Sequence, residues 1–104
     1  MLLGIDLGTS ALKVLLFDPD DGSVRLEREP LTIRTPQPSW AEADPEQWWS
    51  ALLRVLQRFR TEDPDRLAAV EGIGLTTIFP ALVALDENGT PLRPAILYSD
   101  RRST

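Results

Sequence analysis

Near the amino terminus, Asp6, Gly8, Thr9, Ser10 and Lys13 bring together a carboxylate, a flexible backbone position, two hydroxyls and an ammonium group. That combination can organise phosphate and magnesium. Gly8 permits a nest of backbone amides, Thr9 and Ser10 can donate to phosphate oxygens, and Asp6 can hold a hydrated Mg²⁺ beside them. The spacing matches neither the Walker phosphate loop nor the dinucleotide fingerprint. The same residues also read as an ordinary chain reversal, with Gly8 making the turn, Asp6 capping its own loop and Lys13 solvated on a strand.

A second set, Asp100, Arg101 and Arg102, follows the strand-like Ala95 to Tyr98. The carboxyl end of a strand in an α/β sheet is a common ligand crevice. There Asp100 can accept hydrogen bonds from polyol hydroxyls, and Arg102 can orient that carboxylate or bind an oxyanion. The plainer reading is a solvated, charged tail. Trp40 is open to two roles, stacking on a substrate or packing, whereas Trp48 and Trp49 on a helical stripe read as packing residues.

Composition narrows the chemistry further. The chain has no Cys and no His, so disulfides, thiolates and imidazole bases are excluded and any reaction must use carboxylates, hydroxyls and backbone amides. A formal charge of −5 offers no broad positive surface, so a nucleic-acid partner is not expected. No apolar run approaches the ~20 residues of a membrane span, and residues 1–8 lack a basic leader and a cleavage site, so a cytoplasmic location is the default expectation. At 104 residues, 42% apolar and 26% charged, the sequence fits one soluble domain with a modest core.

These residues must be positioned by elements that the pattern supplies. Leu2 to Leu7 and Leu12 to Phe17 suit two antiparallel strands, and Val24 to Ile33 a third strand near an edge with one wetter face. Pro36 and Pro38 predict an irregular crossover pinned by Trp40. Asp44, Pro45 and Gln47 read as cap, first helical position and capping box, opening a helix to about Arg60 whose apolar stripe includes Leu52, Val55, Leu56 and Phe59. Pro64 ends or interrupts it, a brief turn follows, and Val70 to Leu75 suits a covered parallel strand reached by a right-handed crossover. Pro80 to Leu85 and Pro91 to Leu97 read as a hairpin around a primed Asn88-Gly89 turn. No helix follows to cover the late strands, so the sequence reads as truncated, with exposed apolar surface available for self-association.

Taken in order, four blocks resemble the N-terminal portion of the FGGY carbohydrate kinases, most nearly the xylulokinase branch. They are Gly4-Ile5-Asp6-Leu7-Gly8-Thr9-Ser10 with Lys13, Trp40-Ala41-Glu42 leading into Asp44-Pro45-Glu46-Gln47-Trp48-Trp49, Gly72-Ile73-Gly74-Leu75, and Leu92 to Arg102. The resemblance covers residues 1–104. It implies an α/β fold of the ribonuclease-H-like class shared by actin, Hsp70 and sugar kinases, here a partial domain with a mixed sheet and a crossover helix. It implies ATP and Mg²⁺ as cofactors and a sugar or polyol as phosphoryl acceptor. By matched position, Asp6 is similar to the metal- and phosphate-organising aspartate, and Gly8, Thr9, Ser10 and Lys13 to the first phosphate loop. Asp100 and Arg102 are similar to the carboxylate and arginine near the substrate, with Trp40 in the substrate-side loop.

The sequence departs from the family at Ile78-Phe79-Pro80-Ala81, where related xylulokinases carry Gln-Met-His-Gly, and at Ser99, where Asn or Gln is common. Phe79 therefore offers the substrate an apolar wall that cannot hydrogen-bond a hydroxyl. The family's general base and adenosine-binding segment lie downstream of Thr104, so a fragment without turnover is expected. A noncatalytic sugar- or nucleotide-binding module, or half of a split protein needing a partner chain, are the alternatives.

Overall fold

The computed structural model describes residues 1–103. Its main sheet has four strands in the order β3-β2-β1-β5: β1 (Leu2–Leu7), β2 (Ala11–Phe17), β3 (Val24–Pro30) and β5 (Gly72–Thr77). The first three form an antiparallel meander with β3 at the edge, and β5 runs parallel to β1 with Leu2 opposite Gly72 and Asp6 opposite Thr76. Between them lie β4 (Glu42–Ala43), α1 (Pro45–Glu62) and α2 (Pro64–Ala68). After β5, β6 (Ala81–Leu82) and β7 (Ala95–Leu97) join β4 in a second sheet of order β4-β7-β6.

Helix α1 begins where Asp44 accepts the Glu46 amide at 3.0 Å with Pro45 at the first helical position. Gln47 does not close a capping box. Its amide instead grips Thr32, accepting the Thr32 N–H at 3.0 Å, and so fastens the segment after β3 to the start of α1. The apolar stripe then buries Ala51, Val55 and Phe59 against Leu3, Leu12, Val14 and Leu16, which share one face of the sheet. Trp49 and Leu53 fall outside that contact and are exposed, while Trp48 turns to a second cluster with Ala41, Ala43 and Leu97. Beyond the stripe, the α1-facing side chains of β3 are charged. Arg25 pairs with Glu62, and Glu29 with Arg54 and Arg58.

Three expectations about strands are corrected. β3 ends at Pro30, with one further bond in the same register, from the Leu31 N–H to Ser10 C=O, before the pairing stops short of Ile33. β5 is parallel as expected but uncovered: Ile73 and Leu75 are 67% and 66% exposed, because α1 lies over β2 and β3 and does not reach that edge. The late hairpin shrinks to β6, β7 and an isolated Leu85–Pro91 bridge. Its turn is not primed, since only Gly89 has positive φ, +81°, and Asp86 Oδ1 holds the Asn88 and Thr90 amides. The predicted turn after Pro64 is the short helix α2.

The opposite face of the main sheet carries Leu2, Gly4 and Asp6 from β1, Lys13, Leu15 and Phe17 from β2, Val24 and Leu26 from β3, and Gly74 and Thr76 from β5. No described element covers it. A single helical layer on one sheet gives a thin, long molecule, 50 × 28 × 19 Å with a radius of gyration of 16.0 Å, against about 13 Å for a compact chain of this length. Among the described residues no helix is long and apolar enough to cross a membrane.

Candidate functional site

Strand pairing brings the first set of residues together. Asp6 sits opposite Lys13 on β2 and opposite Thr76 on β5, so a carboxylate, the chain's single lysine and a hydroxyl form a row across three strands. Asp6, Lys13 and Thr76 are all exposed. They line one end of an open cavity of about 390 Å³ whose remaining walls include Gly4, Leu15, Leu26 and Gly74. The row lies at the carboxyl ends of β1 and β5, the side of a parallel pair where ligands gather.

The turn beyond it is tighter than a free nest of amides. The Gly8 N–H donates to Ala11 C=O at 3.0 Å, and a Cβ on Gly8 would stand 3.1 Å from that oxygen. A side chain on Gly8 would crowd the turn, and the Gly8 amide is committed there. Of the two hydroxyl residues in this turn, Thr9 is half-buried and Ser10 exposed.

The second set is also assembled, in a form that the sequence pattern did not show. The Asp100 side chain is 1% exposed, which excludes a solvated tail. Its Oδ2 accepts the Ala41 N–H at 2.7 Å and Arg102 Nη2 at 2.6 Å, and its Oδ1 accepts the Arg102 amide and Nε, both at 2.9 Å. Both oxygens are occupied, so in this arrangement Asp100 clamps the 99–102 loop to the segment before β4. The Arg102 guanidinium lies 3.9 Å from the centroid of the Trp40 ring. Trp40 and Ser99 in turn line a second open cavity of about 530 Å³ with residues 35–39. Phe79, at 87% exposure, stands apart just beyond β5.

Two members of this cluster escaped sequence reasoning. Glu42, on β4 between two buried alanines, is buried at 7% exposure, and its Oε2 accepts hydrogen bonds from Arg102 Nη2 at 2.7 Å and from Arg93 Nη2. A lone Glu in Trp40-Ala41-Glu42-Ala43 gives no periodic signal of burial. The arginines near the chain's end, in need of counter-charges, were the available hint.

Hydrogen bonds from Arg102 hold the Asp100 carboxyl well below the usual carboxylate range, and Arg58 likewise lowers Glu29. A carboxylate depressed on folding stabilises fully above its unfolded value and loses that contribution as pH falls. For Asp100 the loss starts near its reference value of 3.8 and continues downward. Acid unfolding followed by circular dichroism should therefore steepen below that pH, and Asp100→Asn should flatten the curve there. An unchanged acid limb in the variant would contradict the clamp.

The mixed sheet with its antiparallel meander and a parallel return through a crossover helix defines the class: the actin, Hsp70 and sugar-kinase version of the ribonuclease-H-like fold. Solved structures agree. A protein described as a xyloylose kinase from Brucella ovis superposes with a TM-score of 0.91 at 38% identity, covering 98% of this chain and 22% of that one. Xylulose kinase from Rhodospirillum rubrum gives 0.89 at 37% identity, covering 97% and 21%. In sequence, the xylulose kinase of Escherichia coli K12 is 40% identical over 102 residues, which are 98% of this chain and 21% of that protein. The model for the N-terminal domain of the FGGY family of carbohydrate kinases matches residues 1–104. The chain belongs to that family, and it spans about a fifth of the length of the relatives it matches.

Proposed function

We propose that this sequence serves as the N-terminal part of a longer ATP-dependent kinase that phosphorylates a hydroxyl of a xylulose-like ketose or a related polyol. The observation that carries the reading is the in-register row Asp6, Lys13 and Thr76 beside the Thr9-Ser10 turn, within a chain similar to proteins described as xylulose kinases. Among the described residues no group of three or more His, Asp or Glu side chains could cage a metal. A single carboxylate nevertheless suits Mg²⁺, which keeps most of its water and takes phosphate oxygens. Asp6 would hold it, and the ion would supply charge neutralisation at the phosphoryl group.

The chain's own contribution is binding and orientation. Lys13 places an ammonium beside the phosphates, Thr9 and Ser10 offer donors, and the Trp40 cavity receives the carbon chain of the acceptor. Phe79, exposed beyond β5, would offer a bound acceptor an apolar surface and no partner for a hydroxyl, which favours a C–H face there. Asp100 serves this pocket by fixing its wall. The open sheet face around Leu15 and Leu26 is where the remainder of such a kinase, or a second copy, would rest. An ATP-consuming role and the absence of cysteine fit a cytoplasmic protein.

The test is ATP-dependent phosphorylation across a panel of ketoses and polyols, run with the longer protein and with residues 1–104 alone. Product is expected from the longer protein only. Enzyme-like turnover by the 104-residue chain would overturn the fragment reading, and saturable sugar binding without product from the longer protein would replace it with a noncatalytic module.

A further inference from the structure

We infer that Glu42 is a positioning residue for the acceptor pocket, acting through Arg102 to fix the Trp40 indole at the pocket rim. This rests on the kinase reading for its substrate, but the geometry stands independently. Burying a carboxylate costs free energy unless it is paired and hydrogen-bonded, and Glu42 is both, while Ala41 and Ala43 on either side of it in sequence pack in the apolar cluster with Leu97. What the carboxylate adds is a strut. Asp100 and Arg102 share one loop, which the Ala41 N–H to Asp100 bond anchors through its backbone neighbour, but among the bonds to the Arg102 guanidinium those from Asp100 stay within the loop. Glu42 sits on β4, which pairs with β7, and its 2.7 Å bond to Arg102 Nη2 ties the loop to the second sheet.

Trp40 closes the circuit. It stands two residues before Glu42, and its ring lies against the guanidinium that Glu42 holds. Carboxylate, guanidinium and indole therefore form one connected series, the first link a hydrogen bond and the second a ring contact. Arg93 bonds the same Glu42 oxygen and braces it from the side. A guanidinium locked in plane keeps the indole ordered, and a pre-ordered aromatic face binds the C–H face of a sugar with less loss of side-chain entropy.

The variants are Glu42→Gln, which keeps shape without charge, Arg102→Lys, which keeps charge without the planar fork, and Trp40→Phe, each in the longer protein. The account expects the KM for the sugar to rise about tenfold in each, with the KM for ATP unmoved and a smaller effect on kcat. The double variant Glu42→Gln with Trp40→Phe should be no worse than Trp40→Phe alone, because one residue acts through the other. Multiplicative effects in the double variant, or a normal sugar KM in Arg102→Lys, would overturn it. Near-UV circular dichroism supplies an activity-free arm. The difference between wild type and Trp40→Phe isolates the Trp40 signal, which Glu42→Gln should abolish and which its persistence would refute. If the unaltered protein phosphorylates no member of the panel, the kinase reading falls, and this spectral comparison alone decides the positioning role.

Discussion

Under the proposed kinase reading, replacing Asp6 with Asn in the longer protein is expected to lower kcat by about 10²- to 10³-fold, the usual loss when one preorganised charge is removed from a phosphoryl-transfer site. The effect belongs to chemistry and not to folding. Asp6 is exposed on the open sheet face, opposite Lys13 and Thr76, and touches none of the buried core, so its stability cost should stay within about 0.5 kcal/mol. Steady-state kinetics beside urea unfolding separates the two. A variant that loses activity together with stability would return Asp6 to the role of a loop cap, and one that keeps full activity would remove it from the site.

Phe59→Ala has the largest expected effect on the fold. Phe59 is 0% exposed, the largest fully buried side chain, and joins α1 to Leu12, Val14 and Leu16 of β2. Its ring also lies beneath the Arg25 guanidinium, 5.2 Å away. Truncating a buried Phe to Ala costs about 3–5 kcal/mol. A domain of this length has about 5–15 kcal/mol in total, and this one leaves an apolar sheet face and the β5 edge uncovered. The variant of the isolated chain should therefore be largely unfolded at temperatures where the parent is folded, read by far-UV circular dichroism in a thermal scan. A shift of only a few degrees would mean that α1 is not the principal cover of the sheet.

The parts legible in the sequence were those set by short-range patterns. Alternation and a glycine-bearing turn identified the first hairpin, and Asp44-Pro45 with the Leu52, Val55, Phe59 spacing identified α1. The parallel strand was visible from its apolar run, but its exposure was not, because coverage depends on elements elsewhere in the fold. Gln47 was misread for a related reason. Capping-box chemistry is local, whereas its actual partner, Thr32, is brought near only by the crossover.

At the site the same division holds. The carboxylate, hydroxyls and ammonium around Asp6 were legible as neighbours in sequence, and strand register sets Lys13 and Thr76 beside Asp6. The saturation of Asp100, the commitment of the Gly8 amide and the burial of Glu42 are tertiary facts. They arise where segments distant in sequence meet, and residue type alone carries no trace of them.

The most direct measurement is a crystal structure of the longer kinase with a non-hydrolysable ATP analogue, Mg²⁺ and a ketose. The account predicts phosphate oxygens about 3 Å from the Thr9-Ser10 donors, with the metal's shell touching Asp6. Nucleotide phosphates seated away from that turn, with Asp6 facing only bulk water, would contradict it.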